Sequence, residues 1–143
     1  NMISLIIGKK GTGKTKVLVE HVNDAVHVSS GNVVCVEKET KLTYDVNYRA
    51  RLIATDVFGI SGYDAFYGFL SGVCAGDHDI TDIFVDATYR IADDKDRTGD
   101  ALADFLAKVN ELSKISGTKF TFTISSEMEE LPEAMFEYCA KIN

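Results

Sequence analysis

The chain has 143 residues, 45% hydrophobic and 26% charged, which suits one folded domain and excludes a disordered polymer. Fifteen Lys and Arg against 22 Asp and Glu leave a net charge of −7, which disfavours non-specific attachment to nucleic acid or to an anionic membrane. Cys35, Cys74 and Cys139 are isolated and odd in number, so plain buried thiols are expected rather than a metal pair or a disulfide framework.

The first apolar run, 2–7 (MISLII), stops at Gly8 and reads as a buried strand. It leaves no room for a signal peptide, which points to the cytoplasm, and Asn1 ahead of it reads as an appended residue, so the expected domain is 2–143. After Lys14, residues Leu18, Val22, Ala25 and Val26 fall on one helical face, and the helix should end at the turn cluster Ser29-Ser30-Gly31-Asn32. Asn32–Glu37 (NVVCVE) is a second strand and 51–55 (RLIAT) a shorter third. A helix is expected over 62–76 in spite of Gly68, Gly72 and Gly76, and its uncharged part, 65–76, is too short to span a bilayer.

The run 80–86 (ITDIFVD) reads as a strand ending on an acid. A polar stretch, 93–97, leads into a helix over 99–116, with Leu102, Phe105, Leu106, Val109 and Leu112 as its apolar stripe. Lys119–Ser125 (KFTFTIS) alternates Phe120, Phe122 and Ile124 with threonines, a strand with two unlike faces. Pro132 suits the first position of a last helix in which Met135, Tyr138, Cys139 and Ile142 share a face. Strands and helices in alternation predict an α/β fold, a mostly parallel sheet of about five strands with helices on both faces.

The segment Gly8-Lys9-Lys10-Gly11-Thr12-Gly13-Lys14-Thr15 satisfies G-x-x-x-x-G-K-[ST] between an expected strand and an expected helix. Glycines let backbone N–H groups turn inward around phosphate oxygens, and the helix start adds partial positive charge. Lys14 supplies a point charge and the Thr15 hydroxyl a ligand for Mg²⁺, with Lys16 on the following turn. A dinucleotide fingerprint is excluded, because Lys16 stands where its third glycine would be. Asp86, at the end of its strand, is the expected carboxylate of the metal site. Asp77-His78-Asp79 precedes that strand and belongs to the other sheet edge, and His21 and His27 do not share a helix face, so neither forms a metal cluster.

On the phosphate loop and the Asp86 strand, the chain resembles the P-loop NTPases, most closely the branch related to recombination ATPases. It also looks like small bacterial ATP-binding proteins often labelled twitching-motility ATPase, although pilus-retraction ATPases are much longer. The resemblance implies a three-layer fold, Mg²⁺ and a nucleotide; ATP is favoured over GTP because no N-K-x-D segment exists. A Glu commonly follows the magnesium Asp in that branch and polarises the attacking water, but here the position holds Ala87. Glu37 or Glu39 would then supply the base, Ser125 or Ser126 would sense the terminal phosphate, and Arg90 or Arg97 would act as an arginine finger. The implied function is a weak or partner-activated ATPase, with a protein partner or a second copy completing the site. A nucleoside-type kinase with an acceptor pocket over 51–76 and a non-hydrolysing nucleotide switch are the alternatives.

Overall fold

Six β-rich runs pair into one all-parallel sheet in the computed structural model, which describes residues 2–143; Asn1 lies outside the described residues. The strands are β1 (Ile3–Gly8), β2 (Asn32–Glu37), β3 (Arg51–Ala54), β4 (Ile80–Val85), β5 (Lys119–Ser125) and β6 (Cys139–Lys141), in the spatial order β3-β2-β4-β5-β1-β6. The helices are α1 (Lys14–Val28), α2 (Tyr63–Gly76), the single turn α3 (Thr88–Ile91) and α4 (Asp100–Ser116). Among the described residues no helix is long and apolar enough to cross a membrane.

Strand alternation sends apolar side chains to both sides of the sheet, as a parallel sheet covered on two faces requires. On one side Ile6, Val33, Cys35 and Phe84 pack against Leu18, Val22 and Val26 of α1 and against Leu42 and Val46 of the segment between β2 and β3. On the other, Val34, Ile83, Val85, Phe120, Phe122 and Ile124 meet Phe66 and Leu70 of α2 and Leu102, Phe105 and Leu106 of α4. Phe66 stacks on Phe105 with centroids 4.9 Å apart, and Phe122 presents its edge to Phe105 at 5.9 Å. Each face of the sheet therefore has its own hydrophobic core, and the helices lie on both faces as expected.

The C-terminal helix does not form. Pro132 opens a 3-10 turn, Glu133–Glu137, which buries Met135; the chain then extends as β6 along the free edge of β1, with Ile3 opposite Cys139 and Leu5 opposite Lys141. The helical spacing of Met135, Tyr138, Cys139 and Ile142 is real, but an open strand edge offers a row of backbone hydrogen bonds that a short terminal helix cannot match. The Asn143 side-chain amide continues that edge, donating to the Ile7 carbonyl at 2.7 Å and accepting from the Ile7 N–H at 2.9 Å. The sheet thus has six strands, all parallel, where about five and mostly parallel were expected. The two faces of β5 are unlike, as expected, and both are buried: Thr121 and Thr123 lie on the α1 side.

All three cysteines are buried free thiols, and burial pushes Cys35 and Cys139 up to about 12 from the ordinary 9.0. A group whose folded value is raised holds its proton in the native state after the unfolded chain has lost it. Its contribution is therefore complete below pH 9 and is lost as the pH rises from 9 towards 12. Alkylation by iodoacetamide at pH 8 should proceed no faster than the chain unfolds, and urea midpoints should fall between pH 9 and 11. Rapid labelling of the folded chain at pH 8 would contradict this burial.

Candidate functional site

β1 ends at Gly8 in register with Ser125 of β5, and the chain turns from there into α1 through a loop that closes on itself. A Cβ on Gly8 would lie 2.6 Å from the Thr12 hydroxyl oxygen, so only glycine permits that approach. Gly13, directly before α1, has φ +84°, a left-handed conformation that costs any larger residue. The Lys9 carbonyl accepts three donors: the Thr12 N–H at 3.3 Å, the Thr12 hydroxyl at 2.7 Å and the Lys14 ammonium at 2.8 Å. Among the described residues, the N–H groups of Lys10, Gly11, Gly13, Lys14 and Thr15 donate to no protein acceptor. A helix N-terminus that presents unpaired amides carries partial positive charge and has donors to offer an anion.

The second half of the site comes from β4 and β5. The Asp86 N–H bonds to the Val36 carbonyl at 2.9 Å, which carries the chain just past β4. The Asp86 carboxylate accepts the Thr15 hydroxyl at 3.0 Å on one oxygen and 3.2 Å on the other. It also accepts the Thr123 hydroxyl at 2.9 Å, while the Thr123 oxygen accepts the Ala87 N–H at 2.8 Å. Ala87 stands at φ +66°, and that left-handed residue turns the chain sharply into α3. One buried hydroxyl thus fixes both the carboxylate and the turn behind it.

Between these halves lies a cavity of about 230 Å³ with Lys10, Lys14 and Arg90 as its cations and Asp86 as its one carboxylate; Thr123 and Ser125 close the β5 side. Lys14 is buried, and loss of solvent pushes its ammonium below the ordinary 10.5. The Asp86 charge opposes that shift and the Arg97 charge adds to it. Since the Lys14 nitrogen bonds a carbonyl and no carboxylate, an incoming anion would be its first full counter-charge. A second cavity, about 680 Å³, shares Gly13 and Thr15 with the first and is walled by Lys16, Val19 and Glu20 of α1 and by Leu42 and Asp45.

The structure therefore brings together Gly8, Gly11, Gly13, Lys14, Thr15, Asp86 and Ser125 of the expected site, with Lys10 on its rim. Lys9 contributes its carbonyl, and its ammonium pairs with Glu127 at 2.8 Å on the surface. Thr12 turns inward to that carbonyl, and Lys16 faces the second cavity. Glu37 is buried, and its carboxylate accepts the Lys41 N–H at 2.8 Å and the Leu42 N–H at 3.4 Å, so it holds the turn after β2 and does not line the cavity. Glu39 bonds Arg90 on the cavity wall, and Ser126 turns its hydroxyl to the Glu127 carbonyl. Arg97 packs over the Tyr89 ring at 5.4 Å. Asp77 braces the opposite sheet edge, accepting from Asn32 and from the Asp79 N–H.

Thr123 is the site residue that motif reasoning missed. Its signal was present: two threonines on one side of a strand whose other side is wholly aromatic or aliphatic. A run of that kind, buried on both sides, must give its hydroxyls partners.

The chain matches no protein-family model, and no curated protein matches it.

Replacing Thr123 by Val keeps the volume but leaves the Ala87 N–H without its partner and removes a donor to Asp86, so unfolding free energy should drop by about 1–3 kcal/mol. Thr123→Ser should recover most of it. Equal stability of the Val and Thr forms in urea would show that the hydroxyl carries no such role.

Proposed function

We propose that the chain is an ATP-binding protein of the P-loop NTPase kind, of the branch related to recombination ATPases, which binds ATP with Mg²⁺ and hydrolyses it slowly or when a partner completes the site. The observation that carries this reading is the Thr15–Asp86 contact beneath a loop of unpaired amides, with the desolvated Lys14 beside it. A hydroxyl and a carboxylate oxygen are the hard donors that Mg²⁺ takes, so these residues fit the ion. When bound, Mg²⁺ would neutralise charge on the phosphate chain.

The rest is work for the chain's own groups. The amides of Lys10, Gly11 and Gly13 bind phosphate oxygens, and Lys14 exchanges the Lys9 carbonyl for a phosphate. Ser125, on the far wall, donates its hydroxyl to the terminal phosphate. The nucleoside extends over α1 into the larger cavity that begins at Gly13 and Thr15.

Asp86 is the one carboxylate on the wall of the small cavity, and it is committed to Thr15 and Thr123. With Ala87 behind it and Glu37 tied to backbone amides, the chain places no ready base against an attacking water. That observation favours slow turnover, and it equally favours a nucleotide switch that binds without hydrolysis.

Lys14→Ala should weaken Mg-ATP binding about ten- to a hundredfold, the worth of one charged hydrogen bond, in a chain that stays folded. Titration of a fluorescent ATP analogue, with phosphate release followed in parallel, measures both quantities. Unchanged affinity in folded Lys14→Ala would overturn the assignment. Lys14-dependent binding without phosphate release would exclude turnover by the chain alone and leave the switch, a partner-activated ATPase or a kinase awaiting its acceptor.

A further inference from the structure

We propose that the cleft between the start of β3 and the C-terminal half of α2 is a second binding site, one that takes a small organic acid: Arg49 and Arg51 hold its carboxylate, and its apolar body lies against the sheet. The cleft sits where β2 and β4 begin, at Asn32 and Ile80, whereas the phosphate-loop cavity lies past the ends of β1 and β4. The two sites are separate, so this one does not depend on the nucleotide-binding reading.

Missing side chains open the cleft. Gly72 and Gly76 stand one turn apart on α2 and leave its flank bare, since a Cβ at either would meet nothing within 4 Å. Between that flank and the sheet lies a cavity of about 430 Å³, the size of pockets that hold small organic ligands. Its floor is apolar, formed by Val34, Ile53, Val73 and Ile80. Strand alternation puts Arg51 on the same side of β3 as Ile53, in register with Val34 of β2, so its side chain stands over that floor. Arg49 is held from behind by Asn47. The Asn47 side chain accepts the Arg49 N–H at 2.9 Å and its carbonyl accepts the Ala50 N–H at 3.0 Å. The Asn47 N–H in turn donates to the Asn23 side chain of α1 at 2.8 Å.

Charge identifies the ligand. Among the described residues neither guanidinium has an ion-pair partner. Asp77 is the one carboxylate on the cleft wall, and both of its oxygens are engaged, one by the Asn32 side chain and one by the Asp79 N–H, each at 2.9 Å. Two cations two residues apart thus stand without a counter-charge, in a chain whose net charge is −7. A carboxylate supplies paired acceptor oxygens that match a guanidinium fork. Hydrocarbon behind that carboxylate covers the floor and removes it from water. Inorganic phosphate would meet the arginines and leave the floor bare, so an acid with an apolar body is the better match.

The test titrates hexanoate, octanoate and phenylpropionate into the isotope-labelled full chain and follows the Gly72 and Gly76 amides by NMR. The amides of the same three acids and inorganic phosphate serve as controls, and circular dichroism verifies the fold of each variant. At least one acid should shift both glycines with a Kd below about 1 mM, and its amide and phosphate should bind about tenfold or more weakly, as one charged hydrogen bond implies. Arg49→Gln combined with Arg51→Gln should weaken the acid about tenfold or more, and Arg51→Lys should cost less, because an ammonium keeps the charge without the fork. Gly72→Leu touches no charge and fills the cleft. It should abolish binding while the urea midpoint stays level or rises, since a helical glycine is replaced. Saturating Mg-ATP should leave the acid's affinity unchanged. No acid binding below about 1 mM, equal binding of acid and amide or of acid and phosphate, or full affinity in the double arginine variant would each overturn the proposal. Full affinity in folded Gly72→Leu would reduce the site to two surface cations, and displacement by Mg-ATP would place the acid in the phosphate-loop cavity; either result also overturns it.

Discussion

The Asp86 carboxylate, shared by the hydroxyls of Thr15 and Thr123, is the contact on which the site depends. Thr15 and Asp86 are 71 residues apart in the chain. They meet because β5 lies between β1 and β4 and holds both in register, Gly8 opposite Ser125 and Val85 opposite Phe122. Thr123, on that middle strand, completes the link. The aromatic packing of Phe66, Phe105 and Phe122 on the other face keeps β5 in place, so the hydrophobic core and the polar cluster are two sides of one strand.

The electrostatics follow from that placement. A chain with net charge −7 repels anions at a distance, and any attraction for phosphate must come from groups close to it. Lys10, Lys14 and Arg90 collect around one small cavity, where the unpaired amides of the loop add to their field. Arg97 lies near enough to depress the Lys14 pKa further. Such crowding of like charges is unfavourable in the chain alone, and a bound anion relieves it. The same cations contribute far less at the outer surface, where water and salt screen them.

Much of this was legible in the sequence, because local patterns fix local structure. The 8–15 loop, the apolar face of α1, the acid after β4 and the glycine-containing α2 all stand where periodicity and turn chemistry put them. One reading failed because it depends on what lies alongside in space: the helical spacing after Pro132 gave way to the open edge of β1. Glu37 and Glu39 illustrate the same limit within the site. Two residues apart in the chain, one carboxylate turns back to cap its own loop and the other reaches Arg90, and only the path of the 38–50 segment decides which.

Because Thr123 grips Asp86, the carboxylate has lost much of its rotamer freedom in the folded chain. Freezing a side chain on association costs about 0.5–1.5 kcal/mol. Here that ordering is completed during folding, and the interior of β5 supplies it. The sheet thus acts as a mould set in advance, and for the proposed ion selectivity would fall to its size and charge rather than to the adaptability of its ligands.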